Sequence, residues 1–415
     1  MKTTFLKIAF ISLSVLALTS CSSDNNGSQD EVISNPPAET DPLTTQNATT
    51  YMVDPSATKE TVALFYNLKK LAKTKIAIGQ QDAFSGFYQD NGGDSDIKKN
   101  TGSDPALLGS DFIFITDKNN NNQADNWFYQ QELNTISNVK SAYAKGIINT
   151  FSWHLREPNK EDSFYASDMT DSQKATAFKS ILPGGANNEW YKKKLDKVAS
   201  VFLSLKGANG ELIPVIFRPF HEFDGSWFWW GANFCSADDY KKVYQFTVDY
   251  LKNTKGVHNV LYAFSPDNSY TTADNYLSRY PGDKYVDVLG MDNYGDFDNQ
   301  GQTGATKANA KLIMIGSLAA SKVKIAALTE TGYQVTATKS PVTDWFSNYL
   351  YGAISNTQGY DSTISISYVM FWNNVKDGYF VPNGSVSNAT DFKTFATKPK
   401  SALLNTLPKM YELPK

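Results

Sequence analysis

Apolar residues recur along the chain in two alternating patterns, short continuous runs and longer stretches at helical spacing. Runs rich in Ile, Val and Phe predict buried β-strands, at Lys75–Gly79, Asp111–Thr116, Gly146–Trp153, Leu212–Arg218, Val260–Ser265, Val286–Met291, Lys324–Thr329 and Ser365–Trp372. Between them, apolar residues at helical spacing predict helices at Ser56–Ala72, Gln130–Lys145, Glu189–Lys206, Ala237–Lys252, Ala305–Ser321 and Pro341–Ser355. The chain therefore alternates strand and helix.

Eight strands separated by helices are typical of a closed (β/α)8 barrel. A doubly wound open sheet is the alternative, because it also alternates strands and helices. No linker-like segment interrupts the chain after Thr50. We therefore predict an α/β protein with a single (β/α)8 TIM barrel over residues 51–415, and we expect a monomer.

The overall composition narrows the classes of function. Hydrophobic residues make up 41% of the 415 residues and charged residues 20%, which is enough apolar material for a large core. The formal net charge is -3, so the chain has no excess of positive charge to hold a phosphate backbone. We expect no nucleic-acid partner.

The first residues have the pattern of an export signal. Lys2 and Lys7 come before an uncharged apolar run, Ile8–Leu18, which is too short to span a bilayer as a helix. The run leads into Leu18-Thr19-Ser20-Cys21, which resembles the lipobox of bacterial lipoproteins. The resemblance implies a signal peptide over residues 1–20 and a lipid anchor on Cys21, the alternative being an ordinary signal peptide with a chance cysteine. It places the protein on a bacterial membrane, with the outer membrane favoured.

Residues 22–50 differ in composition from the rest of the chain. They contain no aromatic residue, Lys or Arg and are rich in Ser, Thr, Asn, Asp and Pro. Such a segment buries little apolar surface, so residues 21–50 are predicted to form a lipidated, flexible tether.

Polar and aromatic residues close the predicted strands. In a barrel of this kind, catalytic residues lie at the carboxyl ends of the strands, because the following loops build the active-site face. The strand-end groups are Trp153-His154, Arg218–Glu222, Asp267, Asp292–Tyr294, Glu330 and Trp372–Asn374. Two of them, Glu222 and Glu330, are carboxylates at the ends of apolar strands. A pair of such carboxylates is the minimal machinery for glycoside hydrolysis.

The segment Arg218–Gly231, with the sequence RPFHEFDGSWFWWG, closely resembles the acid/base segment of glycoside hydrolase family 26, whose best-known members are β-mannanases. A second segment, Ala327–Gly332, resembles the nucleophile segment of that family. Its clan of barrel glycosidases places the acid/base after strand four and the nucleophile after strand seven. Glu222 and Glu330 follow these strands in the count above.

The resemblance implies a retaining double displacement, with Glu222 as general acid/base and Glu330 as nucleophile. It implies that His221 helps to set the hydrogen bonding of Glu330 and that Tyr294 donates a hydrogen bond to the same carboxylate. It also implies that Trp372 forms the floor of the subsite holding the sugar under attack.

Further substrate-contacting positions implied by the resemblance are His154 and Trp227, and Asp292 is expected to meet sugar hydroxyls from its strand end. The less favoured alternatives are a satisfied loop histidine for His154 and a structural tryptophan for Trp227. The chain also departs from the family pattern. Asp224 stands where many members have Asn, and Asn373 stands where some have Arg. Because Asn373 lacks the charge and the five donors of an arginine, binding of the more distant glycone sugar is in doubt.

Metal and cofactor motifs are weak in this sequence. Residues 117–125 space oxygen atoms like the start of a calcium loop, but they lack the Gly and Glu that such a loop needs at positions six and twelve, so a solvated loop is favoured. Cys235 is a single thiol, most simply a small buried residue. We expect no metal and no cofactor.

Two classes of function remain open at this stage. The favoured one is a lipid-anchored hydrolase of β-mannan, and the other is a surface glycan-binding lipoprotein that has lost catalysis. A binding relic is free to lose either glutamate, whereas this chain keeps both in intact motifs. Within the enzyme class, another β-glycan, β-1,3-xylan or mixed-linkage β-glucan, is the alternative substrate.

Overall fold

The computed structural model describes residues 41–85, 93–355 and 364–414. Eight parallel strands form one sheet that closes on itself, because β1 pairs with both β2 and β8. The barrel strands are β1 Ile76–Gln81, β2 Leu107–Asp111, β3 Ile148–Trp153, β4 Val215–Pro219, β5 Val260–Phe264, β6 Val288–Asn293, β7 Ile325–Thr331 and β8 Tyr368–Phe371. A short strand, β9 Ser401–Ala402, adds beside the start of β1. The predicted TIM barrel is confirmed, and the open sheet is wrong.

Helices cover the outside of the barrel between the strands. They are α1 Lys59–Leu71, α2 Asp96–Thr101, α3 Trp127–Lys145, α4 Asp171–Ser180, α5 Asn188–Ser204, α6 Ala237–Asp249, α7 Ala273–Leu277, α8 Gly301–Ser321, α9 Tyr351–Ser355 and α10 Ala389–Ala396. The ends of α3 show why helices start and stop where they do: the Asn126 side chain accepts from the Tyr129 N–H, and Gly146 follows the last turn at φ 91°. The region predicted as one helix over 341–355 becomes helical only at Trp345, in a π-helical segment leading into α9.

The second strand lies earlier in the chain than the apolar pattern predicts. The predicted run Asp111–Thr116 starts where β2 ends, and its residues turn back, with the Thr116 N–H donating to the Phe112 carbonyl oxygen at 2.9 Å. The actual strand contains Gly109, where a Cβ atom would lie 2.1 Å from Oε1 of Gln81. A small residue is needed there, so the strand lacks the bulky apolar pattern that identifies its neighbours. Asp111 therefore closes a strand instead of opening one.

The start of the described chain packs on the barrel. Leu43 and Ala48 are buried in a cluster with residues of α1 and the barrel interior. The Val53 N–H donates to the Asp287 carboxylate at 2.8 Å, just before β6 begins. Residues 42–50 therefore belong with the folded domain, which begins earlier than the predicted tether boundary at residue 50. Residues 1–40, with the predicted signal and Cys21, lie outside the described residues.

None of the helices in the described ranges combines the length and the apolar character needed to cross a bilayer.

Candidate active site

The two glutamates singled out from the sequence meet at the mouth of the barrel. Glu222 lies three residues beyond the end of β4, and Glu330 is the second-last residue of β7. One carboxylate oxygen each of Glu222, Glu330 and Asp292 lies within 4.8 Å of the others. Retaining glycosidases place their two carboxyl groups about 5–5.5 Å apart, whereas inverting enzymes leave about 6.5–9.5 Å for a water molecule. The short separation fits direct attack by a carboxylate.

A strained turn after β4 aims Glu222 into the cleft. Phe220 and Glu222 both have positive φ, 53° and 51°, a conformation that costs a residue with a side chain about 1–2 kcal/mol. Three hydrogen bonds hold the turn: Glu222 N–H to the Ser265 carbonyl oxygen at 2.9 Å, Tyr240 hydroxyl to the Phe220 carbonyl oxygen at 3.1 Å, and Trp230 Nε1 to the His221 carbonyl oxygen at 2.7 Å. Trp230 of the motif and Tyr240 of α6 therefore help to fix the backbone that carries Glu222.

A β-bulge brings Glu330 to the inside of the barrel. Along β7, Ile325 and Ala327 pack in the barrel interior, while Ala326 and Leu328 pack toward the helices. Regular alternation would turn Glu330 outward with Leu328. The register with β6 shifts by one residue between Leu328 and Glu330, so that Glu330 faces its partners across the barrel mouth.

Arg218 connects the carboxylates beneath the cleft. Its guanidinium donates to Oε1 of Glu330 through Nη2, and to Asp292 Oδ2 at 2.5 Å through Nη1. The Tyr294 hydroxyl donates to the other Glu330 oxygen at 2.9 Å, so both oxygens of this carboxylate are held. Paired donors of this kind fix the orientation of a carboxylate, as a nucleophile requires.

Asp292 lies behind the nucleophile. Its side chain has no exposed surface, and its Oδ1 accepts from the Thr329 hydroxyl at 2.6 Å. Sequence reasoning placed Asp292 among the groups that meet sugar hydroxyls, but the structure buries it as a partner of Arg218. The Asp292 carboxylate and the Arg218 guanidinium are both buried, and each compensates the charge of the other. Either charge alone would be costly in the barrel interior.

Glu222 has surroundings suited to an acid. Its Oε2 accepts from Trp227 Nε1 at 2.6 Å. Burial raises its pKa well above the ordinary range, and the negative charges of Glu330, Asp292 and Asp267 raise it further, while the Trp227 hydrogen bond acts in the opposite direction. Burial and the neighbouring charges therefore favour the protonated form of Glu222, whereas Glu330 accepts hydrogen bonds from two donors.

His154 and Trp372 lie side by side at the cleft, with ring centroids 5.8 Å apart. His154 Nδ1 lies 2.5 Å from Asp111 Oδ2, and its backbone N–H donates to Oδ1 at 3.2 Å. Burial alone would raise the pKa of Asp111, but His154 and the hydrogen bonds bring it below its usual range. The Asp111 carboxylate therefore fixes the orientation of the His154 ring through Nδ1.

His221 is almost fully buried, with its ring 4.6 Å from that of His154. Burial lowers its pKa well below the ordinary value, and the charges of Arg218 and His154 lower it further, so the ring is neutral. The resemblance gave His221 a part in the hydrogen bonding of Glu330. The donors that the structure places on Glu330 are Arg218 and Tyr294, so Arg218 fills the role expected of His221.

Comparison of the sequence with known protein families identifies the family of this chain. A sequence model of glycosyl hydrolase family 26 matches residues 53–353. The chain belongs to glycosyl hydrolase family 26.

Solved structures and curated relatives resemble this family 26 chain over most of its length. The GH26C structure from Muricauda sp. MAR_2010_75 is 53% identical, with a TM-score of 0.87 over 90% of this chain and 99% of that one. A GH26 β-mannanase from Bacteroides ovatus is 34% identical, with a TM-score of 0.74 over 86% of this chain and 98% of its own. A mannan endo-1,4-β-mannosidase from Bifidobacterium adolescentis is 34% identical over 84% of this chain. The present chain spans 35% of that relative's length.

Sequence reasoning assigned no role to two residues that the structure places in the site of this family 26 chain, Arg218, which it noted only as a strand-end group, and Asp111. Arg218 occupies an inward position of β4, between the outward-facing Phe217 and Pro219, and an arginine inside a barrel strand requires acidic partners. The inward-facing arginine in an apolar strand was therefore the sequence signal for a buried ion pair. Asp111 was hidden because the strand that ends at it was predicted to begin there, four residues too late.

Asp224, the residue that departs from the family pattern, has a structural role. Its carboxylate accepts from the Asp267 N–H at 2.6 Å, from the Ser269 N–H at 3.3 Å and from the Ser269 hydroxyl. It therefore ties the loop after β4 to the loop after β5. Asn373, the other departure, is buried beside Trp372.

The oxygen-rich loop at residues 117–125 is held by protein groups. Asp117 pairs with Arg156 at 2.5 Å and accepts from the Asn119 N–H, and Asn120 donates to Glu132 at 2.8 Å. The three carboxylates of the active site also have the spacing of metal ligands. There the Arg218 guanidinium supplies the positive charge between Asp292 and Glu330, so the donor set is that of an ion-paired site.

The raised pKa of Glu222 gives a testable pH dependence. We expect activity to fall at high pH as Glu222 loses its proton, at a pH well above the ordinary range of a glutamate. The Trp227 N–H stabilises the charged carboxylate and so lowers this pKa. Trp227→Phe should therefore move the basic limb of the kcat/KM profile to higher pH. A shift to lower pH, measured on an aryl mannobioside, would contradict the assignment.

Proposed function

We propose that this chain is a retaining β-mannanase that hydrolyses β-1,4-mannosidic bonds in mannan or its oligosaccharides. The observation that carries the proposal is the short separation of the Glu222 and Glu330 carboxylates. The surroundings of Glu222 raise its pKa, and Glu330 is held by two donors. The mannanase relatives from Bifidobacterium adolescentis and Bacteroides ovatus support the substrate.

In the first step, a Glu330 oxygen attacks the anomeric carbon while Glu222 gives its proton to the leaving oxygen. The glycosidic bond breaks and a mannosyl ester of Glu330 forms with inverted configuration. Once esterified, Glu330 is neutral and no longer raises the pKa of Glu222, which now acts as a base. Glu222 then takes a proton from water, the water oxygen attacks the same carbon, and the ester bond breaks to release the Glu330 carboxylate. This second inversion restores the configuration.

Arg218 and Tyr294 act on the charge of the nucleophile during this cycle. Both donate to Glu330, and Arg218 is shared with Asp292. When Glu330 loses its negative charge on ester formation, the positive charge of Arg218 therefore still has Asp292 as its partner. The fixed donors do not need to reorganise between the two steps, which is how preorganised groups lower a barrier.

Recognition of mannose is supported by polar groups beside an aromatic floor. In β-mannosides the 2-hydroxyl is axial, and His154, held by Asp111, lies beside Trp372 at the site of the reacting sugar. A hydroxyl built into such a network is costly to misplace, because the wrong epimer leaves buried polar groups unpaired.

A panel of polymers tests the proposed substrate. We expect kcat/KM on β-1,4-mannan or its oligosaccharides to exceed that on the matching β-1,4-glucan at least about a hundredfold, or roughly 2.7 kcal/mol. Purified protein should be assayed side by side on mannan, cellulose, mixed-linkage glucan and β-1,3-xylan. Preference for any of the last three would overturn the mannanase assignment while leaving the glutamate pair intact.

We further propose that Cys21 carries a lipid anchor that attaches the enzyme to a bacterial membrane, with the outer membrane as the favoured location. The lipobox-like Leu18-Thr19-Ser20-Cys21 supports this, together with the polar tether that follows. Two acyl chains suffice for stable membrane attachment, whereas one gives only marginal binding.

Replacing Cys21 tests the anchor. Cys21→Ala should move the protein from the membrane fraction to the soluble fraction or block its processing, and metabolic labelling with a fatty acid should be lost. Cys235→Ala is the matched control, because Cys235 is the other cysteine of the chain and is buried in the barrel domain. Unchanged membrane fractionation of Cys21→Ala would refute the lipoprotein assignment.

A further inference from the structure

Tyr165 is an exposed aromatic residue on the wall of the cleft that carries the acid/base. Its side chain is 45% exposed, and that of Trp227, which bonds Glu222, is 39% exposed. Large apolar side chains are seldom this open in the described residues, where most aromatic rings are buried. An exposed ring beside an active site is a candidate for ligand contact.

The backbone fastens Tyr165 to the segment that follows the acid/base. Tyr165 and Phe228 form an antiparallel β-bridge, and the Ala166 N–H donates to the Trp227 carbonyl oxygen at 2.7 Å. The Trp229 N–H donates back to the Phe164 carbonyl oxygen at 3.3 Å. Tyr165 therefore moves as one unit with Trp227 and the Glu222 turn.

A stack of rings supports Tyr165 from below. Its ring lies 5.8 Å from that of Phe228 at an interplanar angle of 26°, and Phe228 lies 4.6 Å from Trp230 at 28°. The two inner rings are buried, and Tyr165 is the outer, exposed member of the stack. The Phe164 ring also lies 4.4 Å from that of Tyr165, so two neighbouring rings hold the tyrosine while 45% of the residue stays exposed. This exposed side is the open face of a rigid platform.

Glu222 lies within electrostatic reach of this platform. Burial is the main cause that raises the pKa of Tyr165, and the negative charge of Glu222 is the next. Glu222 protonates the oxygen of the departing sugar, so the wall on its side faces the leaving-group part of the chain. The face of a β-mannosyl ring opposite its axial 2-hydroxyl carries only C–H groups and matches an aromatic platform.

We propose that Tyr165 binds a sugar on the leaving-group side of the mannan chain, beyond the one nearest Trp227, by stacking its open face on that ring. The proposal rests on the proposed mannanase function and adds a specificity-determining residue to it. Tyr165 has no part in bond breaking. Its contribution is confined to substrates long enough to reach it.

Two variants separate a platform from a structural role. Tyr165→Ala removes the ring, and Tyr165→Phe keeps the ring but removes the hydroxyl. We expect Tyr165→Ala to lower kcat/KM on mannohexaose about tenfold, the upper end of what one aromatic contact contributes. Hydrolysis of a nitrophenyl β-mannobioside, whose leaving group is too short to reach Tyr165, should change less than about twofold by the same reasoning. Tyr165→Phe should match the wild type on both substrates.

The position of cleavage tests which side of the chain Tyr165 binds. Mannopentaose cleaved in ¹⁸O-labelled water reveals which bond breaks, and Tyr165→Ala should shift cleavage toward shorter leaving groups. An unchanged cleavage pattern, an equal loss on both substrates, or a loss in Tyr165→Phe as large as in Tyr165→Ala would each overturn the proposal. Failure of the proposed function is separate, because the wild type would then not cleave the mannobioside or mannohexaose at all.

Discussion

Glu330→Ala is expected to lower kcat on mannan about 10⁵-fold, because the variant lacks the atom that attacks the anomeric carbon. The rest of the site should survive, since Arg218 still pairs with Asp292 in the barrel interior. The measurement is reducing-sugar release from mannan, with circular dichroism to confirm that the barrel is folded. Glu189→Ala is the matched control, because Glu189 lies exposed on α5 and pairs only with Lys192 in the structure.

Chemical rescue makes the nucleophile test specific. Azide is small enough to enter the space left by the Glu330 side chain and attack the anomeric carbon of an activated aryl mannobioside. One displacement inverts the centre, so the rescued product should be the α-mannosyl azide. Formation of the β-azide, or full activity of Glu330→Ala without azide, would assign the nucleophile elsewhere.

Glu222→Ala is expected to slow hydrolysis of mannan about 10³-fold, within the range of general acid catalysis. The effect should depend on the leaving group. A dinitrophenyl mannobioside needs no protonation to depart, so its first step should stay nearly intact while the second step loses its base. The glycosyl-enzyme should then accumulate, and a burst of dinitrophenol should precede slow turnover.

The azide product distinguishes Glu222→Ala from Glu330→Ala. It attacks the accumulated ester on Glu330 without needing a general base, and two inversions give the β-mannosyl azide. Opposite azide anomers from Glu330→Ala and Glu222→Ala would assign the two roles independently of their rates. Normal hydrolysis of mannan by Glu222→Ala would show that Glu222 is not the acid.

The sequence predicts the barrel well because most of its strands are buried on both faces. Such strands read as continuous apolar runs, as at Val260–Phe264 and Ile325–Thr331, and their ends mark the active-site face. The exception is β2, whose Gly109 makes room for the Gln81 side chain. Packing against a neighbouring strand, which no local pattern records, overrides the apolar signal there.

The site was predictable in its residue types but not in its contacts. Glu222 and Glu330 stand at strand ends that the pattern identifies. The pairing of Arg218 with Glu330 depends on a β-bulge in β7 and on residues 112 positions apart, so nothing local in the sequence specifies it. Leu43 and Ala48 show the same limit: the polar composition around them predicts a tether, yet both side chains are buried in the folded domain.

The anomeric configuration of the first product tests the central claim most directly. Proton NMR of manno-oligosaccharide hydrolysis, recorded in the first minutes before mutarotation, shows which anomer the enzyme releases. The closely spaced carboxylates and the double displacement predict the β-anomer, with the α-anomer growing in only later. Release of the α-anomer first would mean a single displacement by water and would contradict Glu330 as the nucleophile.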